Sequence, residues 1–167
     1  MPTGIPPLDI LVAKGQYIFA FDFTRYLLAA SITFAIVWML RRTALKARKI
    51  QTREASIADM RREFAQSLQS VLVYVVGACF LIWGREVGLF YSVFGESFGI
   101  GIDLLILAGI IIAHDAYFYW AHCFMHHPRL FKHFHRAHHR SITPTPWAAY
   151  SFAMPEAAVM FLFVPLW

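Results

Sequence analysis

Apolar residues in this chain come in long blocks, not in the short repeat of a helix or strand that faces water on one side. One block runs from about Phe23 to Leu40 and meets Arg41-Arg42, a second from about Leu68 to Phe90, and a third from about Ile100 to Trp120. A hydrocarbon core of roughly 30 Å needs about 20 helical residues, so each block predicts a transmembrane helix. Trp83, Tyr91, Tyr119 and Trp120 fall towards block ends, where amphipathic rings favour the membrane interface. Ahead of the first block, Pro2, Pro6, Pro7, Asp9 and Lys14 predict an irregular or interfacial lead-in over residues 1–22. A basic start and a small-residue cleavage site are missing there, so it does not read as a secretory signal peptide.

After the third block, Thr143-Pro144-Thr145-Pro146 stops helix propagation, because each proline lacks an N–H and disfavours helix in the residue before it. From Trp147 to Trp167 the chain is apolar again, interrupted by Pro155 and Glu156, and it runs to Phe163-Val164-Pro165-Leu166-Trp167 without a flanking charge. That ending reads as a cut through an element, so the chain is expected to be an N-terminal portion of a longer protein. The pattern predicts an all-α integral membrane bundle of about three to four transmembrane helices. Residues 1–167 then form a single membrane domain with a cytoplasmic, histidine-bearing helical corner.

Charge gives these helices a direction. Between the first two blocks, residues 41–66 carry Arg41, Arg42, Lys46, Arg48, Lys49, Arg53, Arg61 and Arg62 against Glu54, Asp59 and Glu63. The positive-inside rule makes this a basic cytoplasmic loop, a solvated helical face lying on anionic headgroups. The loop from Ser92 to Gly101 has no Lys or Arg and one acid, Glu96. With Arg129, Lys132, Arg136 and Arg140, twelve of the 15 basic residues fall on one side. The net charge of +5 is therefore topological and does not indicate a nucleic-acid partner. A hydrophobic share of 59% exceeds the roughly 45–50% of soluble domains, and lipid is the better solvent for the surplus. Cys79 and Cys123 give no disulfide framework.

All eight histidines lie between His114 and His139. His122 and His126 are four apart and share a helical face; His135, His138 and His139 can reach one cavity from about one and a half turns. His127-Pro128 lies between the two groups, and proline is accepted in a helix's first turn, so a new helix is expected there. Two helices meeting at that corner would gather five imidazoles. Imidazole suits Zn, Cu, Fe and Ni, and the lack of paired cysteines argues against a structural thiolate zinc site. Five nitrogens exceed the needs of one tetrahedral ion, which favours a two-metal centre or an incomplete one. For His114, His127 and His133, interfacial packing is an equal reading. His114 and Asp115 lie about 10 Å deeper than His122, and an ionisable pair at that depth is a functional candidate. Asp115 is expected to orient a histidine from another helix, and Cys123 to be a packed bystander.

The run His114-Asp115-Ala116-Tyr117-Phe118-Tyr119-Trp120-Ala121-His122, continuing through His126-His127-Pro128-Arg129-Leu130-Phe131 to His135-Arg136-Ala137-His138-His139, resembles the fatty acid hydroxylase superfamily, also called the sterol desaturase family. Arg140-Ser141, Thr143 to Phe152 and Glu156-Ala157 extend the likeness, which covers about 45 residues. The resemblance implies a membrane oxygenase with a non-haem di-iron centre. Such enzymes hydroxylate or desaturate a membrane lipid (sterol, fatty acyl or related) with dioxygen. Two electrons come from a separate donor protein: a reductase, a ferredoxin-type protein or a small cytochrome. By position, His122 and His126 match the first histidine box, His135, His138 and His139 the second, and His114-Asp115 the family's His-Asp pair; His114 is thus a further metal candidate.

Three departures stand out: position 123 is Cys where the family usually has Arg, Ala153-Met154 replaces a His-Pro pair, and no histidine follows His139, where the family carries a third box. Two iron ions would be incompletely held without that box. Two alternatives therefore remain open: a truncated, non-catalytic membrane subunit, or a divalent-metal-binding or transport protein. Transport predicts acidic and histidine residues inside several spans, and the second span has only Arg85-Glu86 near its end.

Overall fold

The computed structural model describes residues 8–50, 52–89 and 97–166. Among them the elements are helical: α1 (Leu8–Leu40), α2 (Ile57–Glu86), α3 (Ile100–Met125), α4 (Pro128–Phe134), α5 (Met154–Phe161) and α6 (Phe163–Leu166), with short 3-10 turns at Ala44–Arg48, His138–Arg140 and Pro146–Ala148. Helices α1, α2 and α3 are each long and apolar enough to cross a bilayer. The all-α membrane bundle expected from the hydrophobic blocks is the observed architecture.

The helix limits differ from the block limits for identifiable reasons. The lead-in is not irregular from Leu8 onwards: α1 begins there, 15 residues before the expected start at Phe23. No proline follows Pro7 in this stretch, and the charge that looked like a break, Lys14, lies 3.7 Å from Glu86 at the far end of α2. At 33 residues α1 is about 50 Å long, more than the roughly 30 Å of hydrocarbon requires. α2 likewise starts well before Leu68, at a capping box in which Ser56 Oγ accepts from the Asp59 N–H and the Asp59 carboxylate accepts from the Ser56 N–H, both at 3.1 Å. The expected end of this span, Phe90, and the loop residues Tyr91 and Glu96 lie outside the described residues. α3 opens where Asp103 accepts from the Phe98 N–H (3.0 Å) and from Ser97 Oγ (2.7 Å). It runs five residues past Trp120, which carries His122 on a continuous helix.

α1 and α2 pack antiparallel, with Lys14 beside Glu86 at one end and the Phe23 ring 6.3 Å from Phe64 towards the other. Close approach is set by small residues: a Cβ at Gly15 would come within 3.0 Å of Cys79 Sγ. On another face of α2, a Cβ at Gly77 would overlap the Phe161 ring of α5 at 2.4 Å. α3 meets α4 and α5, and much of its apolar surface is exposed, with Leu105 at 73% and Trp120 at 69%. Exposed rings at the end of a span are in the place such rings prefer.

The stretch 41–66 is only partly the solvated loop expected. Its last ten residues are the opening turns of α2, and Glu63 is 0% exposed, accepting from Thr145 Oγ1 at 2.5 Å and from the Thr145 N–H at 3.3 Å. Between two prolines Thr145 cannot pass its N–H to a helix, so a buried side-chain acceptor takes it.

Packing at the two glycines predicts opposite responses. Gly77→Ala should lower unfolding stability by about 1–3 kcal/mol, because the Phe161 ring must move. Gly101→Ala in α3, where among the described residues no neighbouring group lies within 4 Å of the added methyl, should be neutral or stabilise by up to about 1 kcal/mol. Thermal unfolding in one detergent compares the two.

Candidate metal centre

His122 lies in the last turn of α3 and His126 caps its C-terminus, so the four-residue spacing puts their rings side by side, 4.8 Å between centroids, and brings the two Nε2 atoms within 3.1 Å. The chain then turns through His127, whose Nδ1 accepts from the Arg129 N–H at 3.4 Å as the N-cap of α4, with Pro128 in the first turn. His127 therefore has a structural task at this corner. α4 lasts only seven residues, and His135 is its C-cap. The second histidine group does not project from one continuous helix, as the spacing had predicted. His135 ends α4, and His138 and His139 begin a separate 3-10 turn.

The rings nevertheless converge, with His135 at the hub. Its ring centroid lies 4.4 Å from His122, 4.7 Å from His126, 4.7 Å from His139 and 5.2 Å from His138. His126 and His139 are 5.0 Å apart. Ligand nitrogens of His122, His126 and His135 all lie within 4.8 Å of one another. Nitrogens at about 2.1 Å from a tetrahedral ion are about 3.4 Å apart, so small ring rotations suffice to bring these three onto one point.

Two of these rings are oriented from outside the histidine segment. His135 Nδ1 lies 2.7 Å from Glu156 Oε1, and both side chains are 1% exposed. His138 Nδ1 lies 3.3 Å from the Ser151 carbonyl. In each case the far nitrogen is left to face other ligands. Among the described residues, His135 Nε2 is buried without a hydrogen-bond partner, as is Glu156 Oε2. A buried polar atom without a partner costs about 1–3 kcal/mol, and a metal ion among the rings would satisfy His135 Nε2. Burial, reinforced by the neighbouring imidazoles, pushes His135 below the usual histidine range. Burial and then His126 and His138 push His139 the same way. Burial raises Glu156. Unprotonated rings can offer lone pairs to an ion at neutral pH without first losing a proton.

The structure does not bring His114 or Asp115 to this cluster. His114 packs edge-on to Phe163 at 5.1 Å, and Asp115, 81% exposed, lies 3.6 Å from His114 and orients no histidine of another helix. Glu156 is the carboxyl that does. Its signal in the sequence was its isolation, as the one acid after Asp115, set in an apolar stretch. His133 is exposed, and Cys123 is exposed and free.

An integral membrane bundle in which the end of one spanning helix, the cap of a short helix and a 3-10 turn bring five imidazoles together is the class defined by fold and site. Residues 107–167 match the family described as fatty acid hydroxylase. The Delta(7)-sterol 5(6)-desaturase erg3B of Aspergillus fumigatus is 31% identical over 138 residues, 81% of this chain and 39% of that protein. The Delta(7)-sterol 5(6)-desaturase ERG3A of Gibberella zeae is 28% identical over 88 residues, 53% of this chain and 25% of that protein. A probable Delta(7)-sterol 5(6)-desaturase of Neurospora crassa is 37% identical over 68 residues, 41% of this chain and 20% of that protein. The chain belongs to the fatty acid hydroxylase/sterol desaturase superfamily, a family of lipid hydroxylases and desaturases. The alignments span 20% to 39% of the length of those three relatives. No solved structure matches the chain.

Replacing Glu156 tests the role given to it. Glu156→Leu leaves the His135 Nδ1–H buried without an acceptor and should lower stability by about 1–3 kcal/mol, whereas Glu156→Gln retains an acceptor and should cost less. Urea unfolding of the purified protein reads the difference. Equal losses in the two variants would remove the orienting role.

Proposed function

We propose that this protein acts as a membrane-bound non-haem di-iron oxygenase that hydroxylates or desaturates a lipid, a sterol or a fatty acyl chain, using dioxygen and two electrons from a separate donor protein. The observation that carries the reading is His135, a fully buried imidazole with Nδ1 held by Glu156 and with Nε2, among the described residues, unpartnered beside four other histidine rings. An all-imidazole donor set suits iron among the redox metals. The names of the fungal relatives, all sterol 5(6)-desaturases, support a sterol or sterol-like substrate.

His122, His126, His135, His138 and His139 would hold the iron. When bound, iron supplies the oxidising strength that breaking a methylene C–H bond requires and that no side chain has. Everything else falls to the chain. Neutral rings add no charge to the site, Glu156 and the Ser151 carbonyl fix two of them, and burial of His135 keeps water from the hub. The apolar face of α3 leads along lipid to His122 and so offers a bilayer substrate a route to the cluster. Histidines and basic residues belong to one end of the bundle, since Arg62 Nη2 donates to the Arg140 carbonyl at 3.4 Å. By the positive-inside rule that end is cytoplasmic, and its basic surface suits an acidic electron donor.

The purified full-length protein should contain iron, and His135→Ala should weaken iron binding by more than about tenfold, while His114→Ala leaves the iron content unchanged. Metal analysis checks all three. Iron-free protein, or metal content indifferent to His135→Ala, would sink the reading. Oxygen uptake with a reductant and a sterol or acyl lipid then separates the substrate classes.

A further inference from the structure

Several of the side chains that hold the second histidine group lie outside the histidine segment. Glu63, Gln66, Ser67 and Ser70 follow the i, i+3, i+4, i+7 spacing of one helical face and form a polar stripe on α2. Glu63, Ser67 and Ser70 are 0% exposed. Such a stripe is costly unless each group finds a partner. Residues 145–151 provide most of the partners. Glu63 accepts from Thr145, and Ser67 Oγ donates to the Trp147 carbonyl at 2.8 Å, sharing it with the Tyr26 hydroxyl at 2.8 Å. Ser151 Oγ donates to Gln66 Oε1 at 2.7 Å. Ser70 turns back on its own helix, to the Gln66 carbonyl at 3.1 Å.

These contacts differ in what they reach. Those of Glu63 and Ser67 hold the Thr-Pro-Thr-Pro-Trp segment to α2. The contact of Gln66 reaches Ser151, a fully buried residue whose carbonyl lies 3.3 Å from His138 Nδ1. A carbonyl only accepts, so Nδ1 carries the hydrogen there and the lone pair is left on Nε2. We propose that Gln66 is a positioning residue of the histidine centre. By accepting the Ser151 hydroxyl it fixes the carbonyl that sets the tautomer and ring direction of His138. The inference rests on the reading of the cluster as a metal centre. It adds that a glutamine on a different helix, 72 positions before His138, tunes that centre without touching it.

Cobalt(II), whose visible absorption reports the number and kind of its ligands, tests this on the purified full-length protein stripped of metal. Gln66→Met keeps the length of the side chain and removes the acceptor; it should weaken cobalt binding about tenfold or more. The metal-free protein should still melt within about 3 °C of the parent. Gln66→Glu restores an acceptor and should bind within about threefold of the parent. Ser151→Ala should weaken binding as Gln66→Met does, and the double variant should bind no more weakly than either alone, because both remove one hydrogen bond. The inference is overturned if Gln66→Met binds cobalt as tightly as the parent while His135→Ala does not. It is also overturned if the loss follows a fall in melting temperature that Gln66→Glu fails to recover, or if the two single losses add. A parent protein that takes up neither cobalt nor iron would overturn the metal-centre reading, and this inference with it.

Discussion

His135 and Glu156 are 21 residues apart in the chain, 2.7 Å apart in space and each almost wholly removed from solvent. Neither side chain could be buried alone at acceptable cost, since an unpartnered imidazole N–H or carboxyl in an apolar setting loses its hydrogen bond to water and gains nothing. Their pairing obliges α5 to pack where α4 ends. That in turn obliges the segment between them to fold back across α2. The corner at His127-Pro128, the cap at His135 and the 3-10 turn at His138 are the local solutions that let a short chain make this return.

α2 is the platform for it. One helix has a membrane-spanning apolar body and, towards its N-terminus, a polar stripe that would be unstable without the strap it binds. The same helix is indented at Gly77 so that the Phe161 ring of α5 lies against its backbone. Position along the membrane normal and position of the histidine rings are therefore coupled through one rigid element. Rigidity matters there, because small shifts of ring nitrogens decide whether an ion is held.

Much of this is legible in the sequence. The three long helices followed from apolar blocks, because backbone groups in lipid must be satisfied within the segment and length is then set by bilayer thickness. The break at Thr143 to Pro146 and the new helix at Pro128 followed from the chemistry of proline. The gathering of five histidines followed from spacing, and the resemblance to fatty acid hydroxylases from the residues between them. Less legible is the start of α1, because the partner of Lys14 in the expected lead-in is Glu86, 72 positions away at the far end of α2. The orienting carboxyl was also misplaced. Asp115 has the right company in sequence, but its side chain is 81% exposed beside His114, whereas Glu156 arrives from a helix that sequence distance gives no reason to place there.

Sequence alone determined what is periodic or compositional: how many helices are long enough to span, which residue type could bind a metal, and to which superfamily the histidine run is akin. Those properties depend on neighbours within a turn or two, or on sums over a segment. Tertiary structure alone decided which nitrogen of His135 is held and which is free, that the second histidine group is presented by a cap and a turn instead of one helix, and that Glu63 and Gln66 face inward to a proline-rich strap. These are pairings between residues 13 to 85 positions apart. Each is fixed by the cost of leaving a buried polar group unpaired, a cost that has no value until the chain has folded and the group is known to be buried.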